Sequence, residues 1–205
     1  MKIPSRQEAE RLIAEAERLN PGPWVAHSRY AGEAAQAIVS HHPDLDPESA
    51  FVLGFLHDIG RRVGVTGMRH SLDGYLFLME KGFDDVARVS MTHSYPVQDI
   101  RHVNSKWDGT EEELEFVREY ITKIKFTKYD RLIQLSDGIS QPTGHCLIEK
   151  RMVDVALRYG TSKYSVPRWK AFIKIKEDFD KEIGQSIYVV LPNVVENTFG
   201  FNPKK

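Results

Sequence analysis

The chain has 205 residues, enough for one domain with a substantial buried core. Its 41% hydrophobic and 28% charged residues are ordinary globular values, which argue against a wholly disordered chain. The formal net charge of −1 and the lack of a basic run argue against a nucleic-acid-binding protein, and the single cysteine excludes an internal disulfide.

The N-terminus is charged and has no apolar stretch of the kind that signal peptides contain. No apolar run reaches the roughly 18 residues that a membrane-spanning helix needs. We therefore expect a cytoplasmic protein that does not enter the membrane. A homo-oligomer is compatible with the sequence.

The first 60 residues have the periodicity of three helices. A capping-box pattern at residues 5–8 precedes an apolar stripe with helical spacing, which predicts a helix that ends before residue 20. A second helix is predicted over residues 24–40 and a third over residues 48–60. Because the segment from residue 50 to residue 56 is apolar all round, we expect the third helix to be central and buried.

The rest of the chain continues the helical pattern. Helices are predicted over residues 71–81, 84–93, 110–123, 128–140, 145–158 and 168–183. Residues 94–109 form a predicted long loop, which in a compact domain often serves as a functional lid. The apolar run at residues 187–191 fits a strand or a helix. The predicted fold class is all-α, in a single domain over residues 1–205.

His57 and Asp58 follow the most apolar helical segment of the sequence. A carboxylate at such a place loses hydration worth several kcal/mol unless it is paired, hydrogen-bonded or bound to a metal. Gly60 can end the helix and free the backbone around the pair. One interpretation is a metal site, and the other is an ion pair of Asp58 with Arg61 or Arg62.

Two further residues have positions that suit metal ligands. His27 lies on the apolar face of the second helix, where small residues allow another backbone to approach closely. Asp137 lies four residues after Ile133, on a plausible inward face of its helix. The alternatives are a core histidine with one hydrogen-bonded ring nitrogen, and a helix-end aspartate that caps the turn at Gly138.

The string GFLHDIGR around His57 and Asp58, with His27 before it and Asp137 after it in LIQLSDGIS, resembles the H…HD…D pattern of the HD superfamily of metal-dependent phosphohydrolases. The resemblance covers about residues 24–140. It implies an HD-domain-like helical bundle in which several helices each contribute ligands to one metal centre. Residues 141–205 would then be a helical C-terminal extension.

His70 and His93 extend this resemblance. HD relatives with two metals have two histidines between the His-Asp pair and the distal aspartate, and His70 and His93 are similarly placed. The resemblance then implies that Asp58 bridges two ions and that both histidines bind the second ion. The alternative is a pair of helix-end histidines, since imidazolium suits a helix C-terminus.

The expected cofactor is one or two divalent transition-metal ions. Imidazole and carboxylate ligands suit Fe, Mn, Zn, Co or Ni, so the ligand types do not select one metal. Asp58 and Arg61 are the candidate catalytic residues. Arg61 is also the candidate substrate-binding residue, because a guanidinium group can neutralise a phosphate. Related hydrolases often have lysine at this place, so the arginine departs from their pattern.

The remaining histidines and the cysteine are not assigned to the site. His41 and His42 precede a proline at a helix end and are expected at the surface. His102 and His145 lack an apolar setting in the sequence. Cys146 is expected to pack rather than react, because no activating group accompanies it.

The function that follows from the resemblance is a metal-dependent phosphohydrolase that attacks a nucleotide or another small phosphoester with a metal-activated water. One alternative is an HD-type di-iron oxygenase that cleaves a carbon bond, since histidine and carboxylate ligands serve both chemistries. Another is a non-catalytic sensor that binds a nucleotide in the same pocket.

Overall fold

The computed structural model of the chain describes residues 1–202, and this part is predominantly helical. Its helices are α1 (Arg6–Leu19), α2 (Trp24–Val39), α3 (Pro47–Leu56), α4 (His70–Glu80), α5 (Asp84–Thr92), α6 (Glu111–Lys123), α7 (Lys128–Ile139), α8 (Ile148–Tyr159), α9 (Ser165–Ile183), α10 (Ile187–Val190) and α11 (Val194–Phe199). A 3-10 helix spans Ile59–Val63, and the short strands β1 (Ser140–Gln141) and β2 (Gly144–His145) pair antiparallel. The all-α prediction is confirmed.

Helices α2 and α3 pack at the centre of the fold, and glycines at their contact allow a close approach. A Cβ atom on Gly54 would lie 2.8 Å from the carbonyl oxygen of Ala31. One on Gly32 would lie 2.9 Å from the carbonyl oxygen of Phe51. Every α3 residue from Ser49 to Leu56 is buried, as its apolar sequence predicts.

Helix α3 is shorter than predicted. It begins after Asp46, whose carboxylate accepts a hydrogen bond of 2.7 Å from the Ser49 amide, and it ends at Leu56. The backbone then tightens into the 3-10 helix, where the Arg61 amide donates to the Asp58 carbonyl over 3.0 Å. His57 and Asp58 therefore lie at the junction between two helical segments.

Helices α1, α5 and α7 pack directly against the pair of α2 and α3. Helix α7 packs against both α2 and α3, α9 packs against α7, and α4 pairs with α5. The main hydrophobic core includes residues of the C-terminal segment, namely Ile175, Phe179, Ile187, Leu191 and Val194. The C-terminal segment and residues 24–140 thus share one core. None of the helices in residues 1–202 is long and apolar enough to cross a bilayer.

The main differences from the predicted elements lie after residue 139. Helix α8 begins at Ile148 rather than at residue 145, because residues 140–145 turn back as the β1–β2 hairpin. Helix α9 begins at Ser165, earlier than predicted. The run at residues 187–191 forms one helical turn, and α11 was not predicted.

We expect Gly54→Val to lower the free energy of unfolding by at least about 2 kcal/mol, because the added atoms would meet the α2 backbone, which cannot move aside without disturbing the core. Urea denaturation measures the change. Ala14→Val is the control, since Ala14 is exposed on α1 and should cost only a few tenths of a kcal/mol. Equal effects of the two substitutions would contradict the close approach of α2 and α3.

Candidate metal centre

Five different elements bring the predicted ligands together. His27 lies on α2, His57 and Asp58 follow α3, His70 begins α4, His93 follows α5, and Asp137 lies near the end of α7. The four histidines and Asp58 are buried, and Asp137 is partly exposed. All six predicted ligands therefore lie in one cluster, although their sequence separation reaches 110 residues.

The first half of the cluster surrounds Asp137. Its Oδ1 lies 3.0 Å from His27 Nε2 and 3.7 Å from His57 Nε2. His57 Nε2 lies 4.0 Å from Asp58 Oδ2. Potential ligand atoms of His27, His57 and Asp58 all fall within 4.8 Å of one another, close enough to share one ion.

The second half shares Asp58 with the first. Its Oδ1 lies 3.2 Å from His70 Nε2 and 3.5 Å from His93 Nε2. The two Nε2 atoms are 3.1 Å apart. Asp58, His70 and His93 thus form a second group that could hold a metal ion, with Asp58 common to both groups.

In every histidine of the cluster, Nε2 faces the other ligands and Nδ1 faces a backbone carbonyl. His27 Nδ1 lies 3.2 Å from Ser140 O, and His57 Nδ1 lies 2.6 Å from Gly54 O. His70 Nδ1 lies 2.5 Å from Gly67 O, and His93 Nδ1 lies 2.8 Å from Ser90 O. Since a carbonyl only accepts, each Nδ1 carries the proton that it donates, and Nε2 is the nitrogen left to bind a cation.

Buried acceptor atoms that lack hydrogen-bond donors indicate that the cluster could hold a metal ion. His57 Nε2 and Asp58 Oδ1 are buried and have no hydrogen-bond partner among the described residues. Burial lowers the pKa of His93 to about 3, so this ring is neutral at pH 7 and its Nε2 offers a lone pair. Buried acceptors that face one another are unfavourable unless a cation lies between them.

Both carboxylates of the cluster are ionised. Burial opposes the charge of Asp58, but Arg61 and the neighbouring histidines outweigh it and hold the pKa well below its usual value. Burial likewise opposes the charge of Asp137, while the adjacent side chains of His27 and His57 hold its pKa well below the usual value. The cluster therefore supplies anionic oxygens as well as imidazole nitrogens.

Asp58 also forms an ion pair with Arg61, which the sequence offered as the alternative to a metal site. Arg61 Nε lies 2.5 Å from Asp58 Oδ2, whereas Arg62 pairs with Glu15 at the surface. Arg61 occupies only one carboxylate oxygen, and Oδ1 remains directed toward His70 and His93. The Asp58–Arg61 pair therefore coexists with the histidine cluster rather than replacing it.

A cavity of about 440 Å³ opens onto the cluster, a volume typical of small-molecule sites. Arg61 lines it, as do three arginines that the sequence analysis did not single out: Arg151, Arg158 and Arg168. Arg151, Val155 and Arg158 follow the i, i+4, i+7 spacing of one helix face, which was the available sequence signal. The sequence does not show which part of the protein this face of α8 would contact.

Two expectations about the unassigned histidines were wrong. His42 is buried, with Nε2 only 2.7 Å from Glu182 Oε2, because α9 covers the end of α2. His145 is also buried, packed edge-on against Tyr30, because the β1–β2 hairpin folds it inward. Neither histidine lines the cavity. Cys146 is buried, and burial raises its pKa to about 11, consistent with packing rather than reactivity.

Comparisons of the chain with family models, with curated proteins and with solved structures find no match.

His145 should make stability depend on pH. Burial lowers its pKa in the folded state from 6.5 to about 4, so only the unfolded chain takes up this proton as the pH falls from 6.5 toward 4. The metal-free protein should lose roughly 3 kcal/mol over this range through His145 alone.

The difference between wild type and His145→Leu isolates this contribution. Urea denaturation at pH 7 and at pH 4.5 should show a smaller pH-dependent loss in the variant. Parallel losses in both proteins would contradict a buried, neutral His145.

Proposed function

We propose that the chain belongs to the HD superfamily and is a metal-dependent phosphohydrolase that acts on a nucleotide or another small phosphoester. The observation that carries this proposal is the set of four histidines whose Nδ1 atoms are engaged by backbone carbonyls and whose Nε2 atoms converge on Asp58 and Asp137. Orientation of this kind is typical of histidine ligands in metal sites.

The division into two groups favours a binuclear centre. His27, His57 and Asp137 would hold one ion, His70 and His93 the other, and Asp58 would contribute to both. A divalent cation in such a site polarises a phosphoryl oxygen and lowers the pKa of a coordinated water. The ligand types suit Fe, Mn, Zn, Co or Ni.

The charge of the cavity wall favours a phosphoester over a neutral substrate. Among residues 1–202, four arginines line the cavity against two carboxylates, Asp58 and Asp137, and both carboxylates belong to the proposed ligand set. Guanidinium groups bind phosphate oxygens through charge-assisted, often bidentate hydrogen bonds. An anionic substrate is therefore the best match for this wall.

Arg61 has two roles in this proposal. Its Nε holds Asp58 in place through the contact of 2.5 Å. Its two terminal nitrogens form no hydrogen bond to another residue in the described chain, and the Arg61 side chain lines the cavity that would hold a substrate phosphate. Arginine offers more fixed donors than the lysine of related hydrolases, which suits it to holding a carboxylate and a phosphate together.

We expect freshly purified protein to contain about two transition-metal ions per chain, and His70→Ala and His93→Ala to contain about one. Elemental analysis measures the metal content. His41→Ala is the control, since His41 is exposed and lies outside the cluster. One ion in wild type that neither substitution removes would leave a mononuclear site, and no ion after reconstitution would end the enzyme proposal.

We expect the protein reconstituted with Mn or Co to hydrolyse a phosphoester from a nucleotide panel, and His70→Ala to lose at least about 10-fold in kcat/KM. Phosphate release measures the reaction. Oxygen consumption without phosphate release would instead identify the di-iron oxygenase. Nucleotide binding without either reaction would identify the sensor.

A further inference from the structure

A smaller chamber of about 90 Å³ adjoins the main cavity at Asp137. Its wall includes Arg151 of α8 and Arg168, Trp169 and Phe172 of α9, and it shares Asp137, Arg151 and Arg168 with the main cavity. The chamber therefore lies next to the candidate metal centre but is built largely from the C-terminal helices.

The chamber wall contains donors that lack acceptors. Arg168 is only 6% exposed, and its Nε is buried without a hydrogen-bond partner among the described residues. The indole Nε1 of Trp169 is also buried and unpartnered. The guanidinium of Arg151 forms no ion pair within residues 1–202. Because guanidinium and indole nitrogens only donate, the group that satisfies them must be an acceptor.

The charge of the chamber points to an anion. A buried guanidinium without an ion-pair partner destabilises the folded state, and an anionic ligand would offset this cost. Burial lowers the pKa of Arg168 to about 10, with Asp137 opposing the shift, so the side chain remains charged at neutral pH. Among the described residues of the wall, Asp137 is the only carboxylate, and it already faces His27 and His57.

The chamber also limits the size of its ligand. At about 90 Å³ the chamber is much smaller than the main cavity, which suits it to a compact group such as an oxyanion. The main cavity, at about 440 Å³, remains for the rest of a larger substrate.

We infer that Arg151, Arg168 and Trp169 form an oxyanion subsite that binds a second phosphate group of the substrate. This inference rests on the proposed function, in which a first phosphate lies at the histidine cluster. It narrows the substrate class to compounds with two phosphate groups in reach of one another, such as nucleoside polyphosphates or bisphosphates, rather than simple monoesters.

The subsite can be tested without metal, with inorganic phosphate as the probe. We expect metal-stripped protein at pH 8 to bind phosphate, detected by 31P NMR titration. Arg151→Gln and Arg168→Met should each weaken binding at least about 10-fold, the loss expected for one charge-assisted contact. Lys170→Gln is the matched control, since Lys170 is an exposed cation on α9 that lines neither cavity.

Thermal denaturation separates this role from a structural one. Arg168→Met removes an unpartnered buried charge at similar volume, so the melting temperature should stay constant or rise. A large fall would show that Arg168 holds the fold together, and would overturn its assignment to ligand binding. Absence of phosphate binding to folded wild-type protein, or equal weakening by Lys170→Gln, would overturn the subsite.

Kinetics of the metal-loaded protein then test the substrate class. Arg151→Gln should raise KM at least about 10-fold for a bisphosphate and much less for the corresponding monophosphate. Equal effects on both substrates would overturn the inference while leaving the phosphohydrolase proposal intact. Phosphate binding that depends on Arg151 and Arg168, without any phosphate release by the loaded protein, would support the subsite and contradict the proposed function.

Discussion

Backbone carbonyls engage Nδ1 of four buried histidines, and the candidate site depends on these four hydrogen bonds. Each bond fixes the protonated nitrogen and the plane of its ring, so that Nε2 must point inward. The result is a buried space in which acceptors face acceptors, with His70 and His93 Nε2 atoms 3.1 Å apart. A folded chain tolerates such crowding when a cation shares the space.

The arrangement is supported by packing rather than by local helix formation. His57 and Asp58 follow a helix that is buried on every side, and the glycines at the α2–α3 contact let His27 approach them. Asp137 arrives on α7, which packs against both helices. Because the ligands come from separate segments, the site can exist only when the whole core has formed. Metal binding would then add directly to the stability of the folded state.

Much of the cluster could be predicted because its signals are local. Short windows of sequence show an apolar helix that leads into His-Asp, a histidine on an apolar helix face and an aspartate on an inward helix face. His70 and His93 were predicted as ligands from the resemblance to a known pattern of metal-binding histidines and aspartates. The arginines of α8 and α9 could not be placed, since their role depends on which face of the core those helices cover. His42 and His145 were misjudged for the same reason: distant segments bury them, while their sequence neighbours are polar or turn-forming.

The central claim is that the histidine cluster holds metal, and anomalous scattering from a crystal grown with Mn tests it most directly. Two anomalous peaks are expected, one on each side of Asp58, the first beside His27, His57 and Asp137 and the second beside His70 and His93. A single peak would reduce the centre to one ion. A map without a peak at this cluster, with Asp58 held only by Arg61, would contradict the claim.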